Sequence, residues 1–260
     1  MKFRLSRWEL YIWALIAMVL CHIQQILVIS RNLPEWFGWS QELSFHFGIF
    51  LEDIGRITFP IFAYFIVEGW KRTQNQNKYL LRLLIFAIVS EPVYDWANFH
   101  GSGWNSVGVT LLLGALALWI YDQRRKNKVM SYLCWPLLVV LWGLNLFCKA
   151  EYGEVMIPLV LGLYLLSTER KRLLWMAGIL VLENSGLIDL LMGWHNLAYI
   201  TYFFTTLWSL MAVALLSQYD HKAQRIRPRY FVYVFYPLHL LVLGIKVGGQ
   251  AVLGRQHLKP

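Results

Sequence analysis

Residues 44–70 read SFHFGIFLEDIGRITFPIFAYFIVEGW and run straight into Lys71 and Arg72. The charged groups of the stretch are confined to one cluster, Glu52, Asp53 and Arg56, and one terminal carboxylate, Glu68. At 1.5 Å of rise per residue, such a run exceeds the roughly 20 residues with which a helix crosses a hydrocarbon core. If comparable runs recur, the chain is an all-α bundle whose solvent is the bilayer.

They recur. Working outward, apolar spans cover residues 8–29, 79–98, 106–121, 129–147, 155–167, 173–191, 197–216 and 230–248. The fourth and sixth spans in chain order, 106–121 and 155–167, are short, and Pro158 fits an irregular start to the latter. Of the 260 residues 58% are apolar and only 15% charged, outside the range of soluble domains.

A net charge of +9 in a soluble chain would point to nucleic acid, but here the basic residues alternate with the apolar spans. One set of connections holds Lys2, Arg4 and Arg7; Lys71, Arg72 and Lys78; Arg124, Arg125, Lys126 and Lys128; Arg170, Lys171 and Arg172; and Lys222, Arg225, Arg227 and Arg229. The other set, with the tail, holds Arg31, Lys149, Lys246, Arg255 and Lys259. Cytoplasmic loops carry the Lys and Arg excess, so the pattern predicts about nine transmembrane helices with the amino terminus in the cytoplasm. The expected fold is a single integral membrane domain over residues 1–260, multi-pass in the bacterial cytoplasmic (inner) membrane. The lipid bilayer is its surroundings and nucleic acid is not a partner.

The first apolar segment is too long for a signal-peptide core and no A-x-A-like site follows it, so an uncleaved helix is expected. Cys21, Cys134 and Cys148 show no metal spacing, and no metal is expected. Phosphate-binding loops, dinucleotide fingerprints, zincin helices and internal repeats are all lacking from the sequence.

Ionisable groups inside a span are expensive and need a partner or a purpose. Glu52 and Asp53 lie four and three residues before Arg56, so both carboxylates can reach its guanidinium on one helix face. Either the three form an ion pair that lets the helix insert, or Arg56 stays free to bind an anionic or carbonyl oxygen. Gly55 permits close helix approach and Pro60 is expected to kink the helix below the charges. The third span puts Glu91 and Asp95 four apart, where two carboxylates repel unless a cation such as Arg56 sits between them. Arg82, near the cytoplasmic end, reads as a snorkelling structural residue.

His22 follows Cys21 in the outer half of the first span. It is either hydrogen bonded to a neighbouring helix or the base of a reaction. His239 lies in the last span, after Tyr236 and Pro237. Glu183, Asn184 and Asp189 add polar groups to the seventh span, and Glu151, Tyr152 and Glu154 stand in an outward loop where they could border a site.

IGRITFPIFAYFIVEG from Ile54 and KYLLRLLIFAIVSEPVYD from Lys78 resemble the core of the TraX family of bacterial membrane proteins. VTLLLGALAL from Val109, AEYGEV from Ala150 and FVYVFYPLHLLVLGI from Phe231 continue the resemblance in order over nearly the whole chain. The family's founding activity, acetylation of the amino terminus of a conjugative pilin, implies an acyltransferase. Acetyl-CoA would be the acyl donor, and a pilin or other envelope polymer the acceptor of the acyl group on an amine or hydroxyl. Where the family commonly has an Asp-His pair, this sequence has Cys21 and His22, so the orienting carboxylate must come from elsewhere, with Glu52 and Asp53 as candidates.

Under this reading His22, Arg56, Asp53 and Glu52 are the catalytic candidates. Glu91, Asp95, Tyr236, His239 and Tyr152 are substrate-binding candidates, and Lys71, Arg72 and Arg225 a basic mouth for the donor's phosphates. A secondary transporter or proton-coupled permease using the same buried charges is the alternative, and a non-catalytic membrane partner a third.

Overall fold

Ser6 starts the first helix, α1 (Arg7–Ile23), with a capping box: its hydroxyl accepts from the Glu9 amide while the Glu9 carboxylate accepts from the Ser6 amide at 2.7 Å. The helix continues into a π-helical turn at Gln24–Val28, so that His22 sits directly before a widened turn. The computed structural model describes residues 4–28, 32–97, 105–126, 128–185, 199–222 and 230–256. Asp189 and Arg225 lie outside these residues.

After the short α2 (Asn32–Phe37), the stretch that decides the fold divides into α3 (Gln41–Gly55) and α4 (Thr58–Arg72). Pro60 stands in the first turn of α4, where its missing amide would otherwise have bonded the Arg56 carbonyl. The expected kink is therefore a full break at Arg56 and Ile57, and Arg56 sits in the turn between two helices rather than on a continuous helix face. Gly55 permits this geometry, since a Cβ there would lie 2.5 Å from the Cβ of Cys21 on α1.

The chain continues as α5 (Gln76–Ala97), α6 (Val107–Gln123), α7 (Lys128–Phe147), α8 (Gly153–Leu165), α9 (Glu169–Asn184), α10 (Tyr199–Ser217) and α11 (Phe231–Gln256). Apart from the break at Arg56 and Ile57 and one or two residues at span ends, the described part of each apolar span is helical, and the described residues form no sheet; isolated bridges pair Leu5 with Tyr219 and Asn105 with Ala150. Two helices, Arg7–Val28 and Lys128–Phe147, are by length and composition sufficient to cross a membrane, while Val107–Gln123, Gly153–Leu165, Phe203–Ser217 and Phe231–Ile245 are apolar but shorter.

Polar hubs gather one end of the bundle. Asp122 at the end of α6 accepts from Trp70 of α4 at 2.9 Å, Gln76 of α5 at 3.1 Å and Tyr164 of α8 at 2.8 Å. Glu68 near the end of α4 faces Arg7, Arg72, Tyr219 and His221, and Tyr64 donates to Glu169 at the start of α9. These contacts bring to one end the described members of all five basic clusters.

The outward faces are apolar. Tyr132, Val139 and Phe147 of α7 are 78%, 65% and 85% exposed, and Ile85, Ile88, Phe203, Val234 and Val242 are also exposed. Bare apolar surface on this scale is foreign to a water-facing monomer.

Candidate functional site

The break before α4 and the widened turn after His22 border a cavity of about 260 Å³. Its lining includes His22, Glu52, Arg56, Tyr152, Glu183 and Tyr236. Arg56 donates to Glu52 at 3.4 Å, and its guanidinium carbon stands 5.8 Å from the Tyr152 ring centre. Arg56 Nε is buried and meets no hydrogen-bond acceptor among the described residues. The guanidinium therefore keeps donor capacity in reserve at the cavity.

Tyr152 is held there by backbone geometry. It adopts the left-handed region at φ 58°, uncommon for a residue with a Cβ, and its ring stacks on Phe59 at 4.1 Å with an interplanar angle of 6°. The preceding Glu151 is anchored twice. Its backbone amide donates to the Asn105 carbonyl at 3.2 Å, and its carboxylate accepts from the Tyr94 hydroxyl at 2.7 Å. Burial pushes the Glu151 carboxyl above its ordinary range, with the Tyr94 hydrogen bond and the Arg56 charge opposing the shift.

The second imidazole reaches His22 from α11. His239 Nε2 lies 2.8 Å from His22 Nδ1, and His239 Nδ1 lies 3.0 Å from the Phe235 carbonyl. A carbonyl only accepts, so His239 bears its proton on Nδ1 and, as a neutral ring, accepts at Nε2. His22 then donates from Nδ1, which leaves His22 Nε2 unprotonated.

A family model described as TraX protein matches residues 6–247. The chain belongs to the TraX family. A probable fimbrial assembly protein, FimC of serogroup H1 from Dichelobacter nodosus, is 29% identical over 259 residues, covering 92% of this chain and 94% of that protein. No solved structure matches the chain.

In this TraX chain the residues picked out by sequence fall into three groups. His22, Glu52, Arg56, Tyr152 and Tyr236 meet at the cavity, where Tyr236 Oη is buried. His239 stands one shell behind, against His22. The others point elsewhere. Asp53 accepts from Thr205 of α10 at 2.8 Å, whereas the Arg56 side chain donates to Glu52. Glu91 accepts from the Ser106 amide at 3.0 Å and from its hydroxyl at 2.8 Å, so it caps α6, and Asp95 is exposed. The carboxylate expected to orient His22 is thus a histidine instead, and Arg56 does not sit between Glu91 and Asp95.

The basic mouth is also redistributed. Lys71 turns toward α8, donating to the Leu163 carbonyl at 3.2 Å with its Nζ 5.1 Å from the Tyr164 ring. Burial, then the nearby Arg172, lowers its pKa to about 8. Arg72 faces a second and larger cavity of about 440 Å³ together with Arg7 and Arg82. That cavity shares Met18, Val107 and Tyr236 with the first.

Glu151, Glu154, Glu183 and Cys21 also line the first cavity. Their signal in the sequence was an ionisable or thiol side chain at the expected depth of His22, without any way to tell an inward from an outward direction.

Proposed function

We propose that this TraX chain is a membrane-embedded acyltransferase that moves an acetyl group from acetyl-CoA to an amine of an envelope protein, with a pilin amino terminus as the acceptor. The bundle lies in the bacterial inner membrane as about nine spans with the amino terminus in the cytoplasm. The bare apolar faces and the gathering of the basic clusters at one end support that placement. The pilin class is supported by family membership and by the fimbrial assembly role in the relative's name.

The observation that carries the reading is that an unprotonated His22 Nε2 and an Arg56 guanidinium with a spare Nε donor line one cavity. Glu52, Glu151, Glu154 and Glu183 outnumber Arg56 there and favour an acceptor that arrives as an ammonium. Once the ammonium has lost one proton to water, its nitrogen attacks the thioester carbonyl while His22 Nε2 takes a second proton from it. The oxygen of the tetrahedral intermediate, negative for a moment, is met by Arg56 N–H groups. The C–S bond then breaks, the new amide C–N bond remains, and His22 returns its proton to the departing thiolate. His239 keeps His22 in the tautomer that presents Nε2.

The test is the purified protein in liposomes with labelled acetyl-CoA and a peptide bearing a pilin amino terminus. Protein-dependent transfer of label to the peptide amine is expected. Solute uptake without covalent change would replace this reading with a transporter.

A further inference from the structure

The larger cavity is built differently from the first. It is walled by α1, α4, α5, α6 and α11 and lies toward the end of the bundle where the basic clusters gather. At its mouth stand Arg7, Arg72 and Arg82. Glu68 neutralises part of this charge, since it lies 3.7 Å from Arg7 and 2.6 Å from Arg72. Net positive charge remains and is available. Arg7 donates from Nη2 to the Tyr11 hydroxyl at 3.1 Å but keeps a buried Nε without a partner among the described residues, and among the same residues Arg82 hydrogen bonds only through its Nε, to the Lys78 carbonyl at 3.3 Å.

Inward from the mouth the walls become aromatic, with Tyr11, Phe62, Phe65, Tyr79 and Phe86. Gly69 allows this, because a Cβ there would lie 2.8 Å from the Tyr79 hydroxyl oxygen. The inner end is formed by Met18, Val107 and Tyr236, the three residues that also line the cavity of His22 and Arg56. From Arg7 to His22 along α1 and its last turn is about 22 Å at 1.5 Å per residue, comparable with an extended pantetheine arm.

We infer that this second cavity is the donor site, holding the phosphates of a coenzyme A thioester at Arg7, Arg72 and Arg82 and passing its pantetheine arm between Met18, Val107 and Tyr236 to His22. The inference rests on the acyl-transfer reading for its purpose. Three arginines at one rim suit a ligand with several phosphates, because the planar guanidinium bonds a phosphate through two parallel N–H groups. A thin, largely uncharged arm suits the aromatic slot behind them. Arg82, read from sequence as a structural snorkelling residue, thereby becomes a ligand-binding one. A phospholipid headgroup shares the phosphate chemistry, and its acyl tails could occupy the same slot.

The experiment measures coenzyme A binding to the full-length protein in phosphatidylcholine nanodiscs. With wild type, affinity is expected to fall in the order coenzyme A, dephospho-coenzyme A, pantetheine, as phosphates are removed. Arg82→Gln is expected to weaken coenzyme A binding by about tenfold or more, the loss of one charge-assisted contact. Leu111→Trp, which fills the slot, is expected to abolish it. Equal affinity for pantetheine and coenzyme A in wild type overturns the proposal without any variant. So does unchanged coenzyme A binding in monodisperse Arg82→Gln and Leu111→Trp proteins. Retention of phosphatidylglycerol, lost in Arg82→Gln while coenzyme A fails to bind, would assign the cavity to lipid and overturn it too. Coenzyme A binding that follows the variants, without transfer to any acceptor, would keep the site and remove the acyltransferase. Transfer with an unchanged donor KM in Arg82→Gln would do the reverse.

Discussion

His239 Nε2 accepts a hydrogen bond from His22 Nδ1 across 2.8 Å, joining two imidazoles that are 217 residues apart in the chain. In the proposed reaction the pair divides labour: the ring lining the cavity acts as the base, and the ring behind it fixes the tautomer. His22→Ala is expected to lower acyl transfer by 10²-fold to 10⁴-fold, roughly the contribution of a positioned base. His239→Gln, which keeps an amide oxygen able to accept from His22, is expected to lose much less than His239→Phe. Turnover is measured with detergent stability alongside, and a His22→Ala protein within about tenfold of wild type would remove His22 from the chemistry.

Arg56 stands in the turn between α3 and α4, with Glu52 on one side and the Tyr152 ring on the other. Lysine in its place keeps the charge but loses the planar fork that can hold Glu52 and an oxyanion together. Arg56→Lys is expected to insert normally and to lose at least tenfold in turnover, with a smaller effect on KM. Near-normal turnover would reduce Arg56 to a structural ion pair.

Glu91 accepts from both the amide and the hydroxyl of Ser106 and so ties α5 to the start of α6. Two hydrogen bonds to a carboxylate are lost in Glu91→Ala, at about 1.5–3 kcal/mol each before relaxation and water replacement. Thermal unfolding in detergent should show a clear fall in Tm for Glu91→Ala and a smaller one for Glu91→Gln. An unaltered Tm in Glu91→Ala would show that the cap contributes nothing.

Lys71 has its pKa lowered from 10.5 to about 8 by burial and then by Arg172. Its folded form therefore releases a proton that the unfolded chain still holds between about pH 8 and 10, and stability rises with pH across that window. The penalty for holding the charged amine is complete below pH 8. Competitive acetic anhydride labelling read by mass spectrometry should show Lys71 reacting with a midpoint near pH 8, well before an exposed lysine such as Lys78. Co-titration of the two would refute the burial argument.

The proposed membrane orientation makes its own prediction. Cysteine accessibility or reporter fusions should place the connections after Trp70, Tyr121, Ser167 and Leu216 in the cytoplasm and the tail beyond Gly248 outside. A cytoplasmic tail would break the nine-span arrangement.

The sequence by itself determined where most of the helices lie, though not the break at Arg56 and Ile57 or the short α2. Apolar runs near bilayer length admit little else, and the alternation of Lys and Arg marked the connections that Asp122 and Glu68 bring together at one end. It also put Glu52 and Asp53 within reach of Arg56, because residues three and four apart on a helix are neighbours; the structure pairs Glu52 with it. Tertiary structure alone decided the direction each side chain faces. Asp53 and Glu52 are adjacent in the chain, yet one reaches Thr205 and the other Arg56, because successive helical residues are 100° apart and only packing decides which of them meets the cavity. The meeting of His22 with His239, and of Arg7 with Arg72 and Arg82, likewise depends on which helices are neighbours. Periodicity within one helix says which residues share a face, but it carries no information about the helix on the other side.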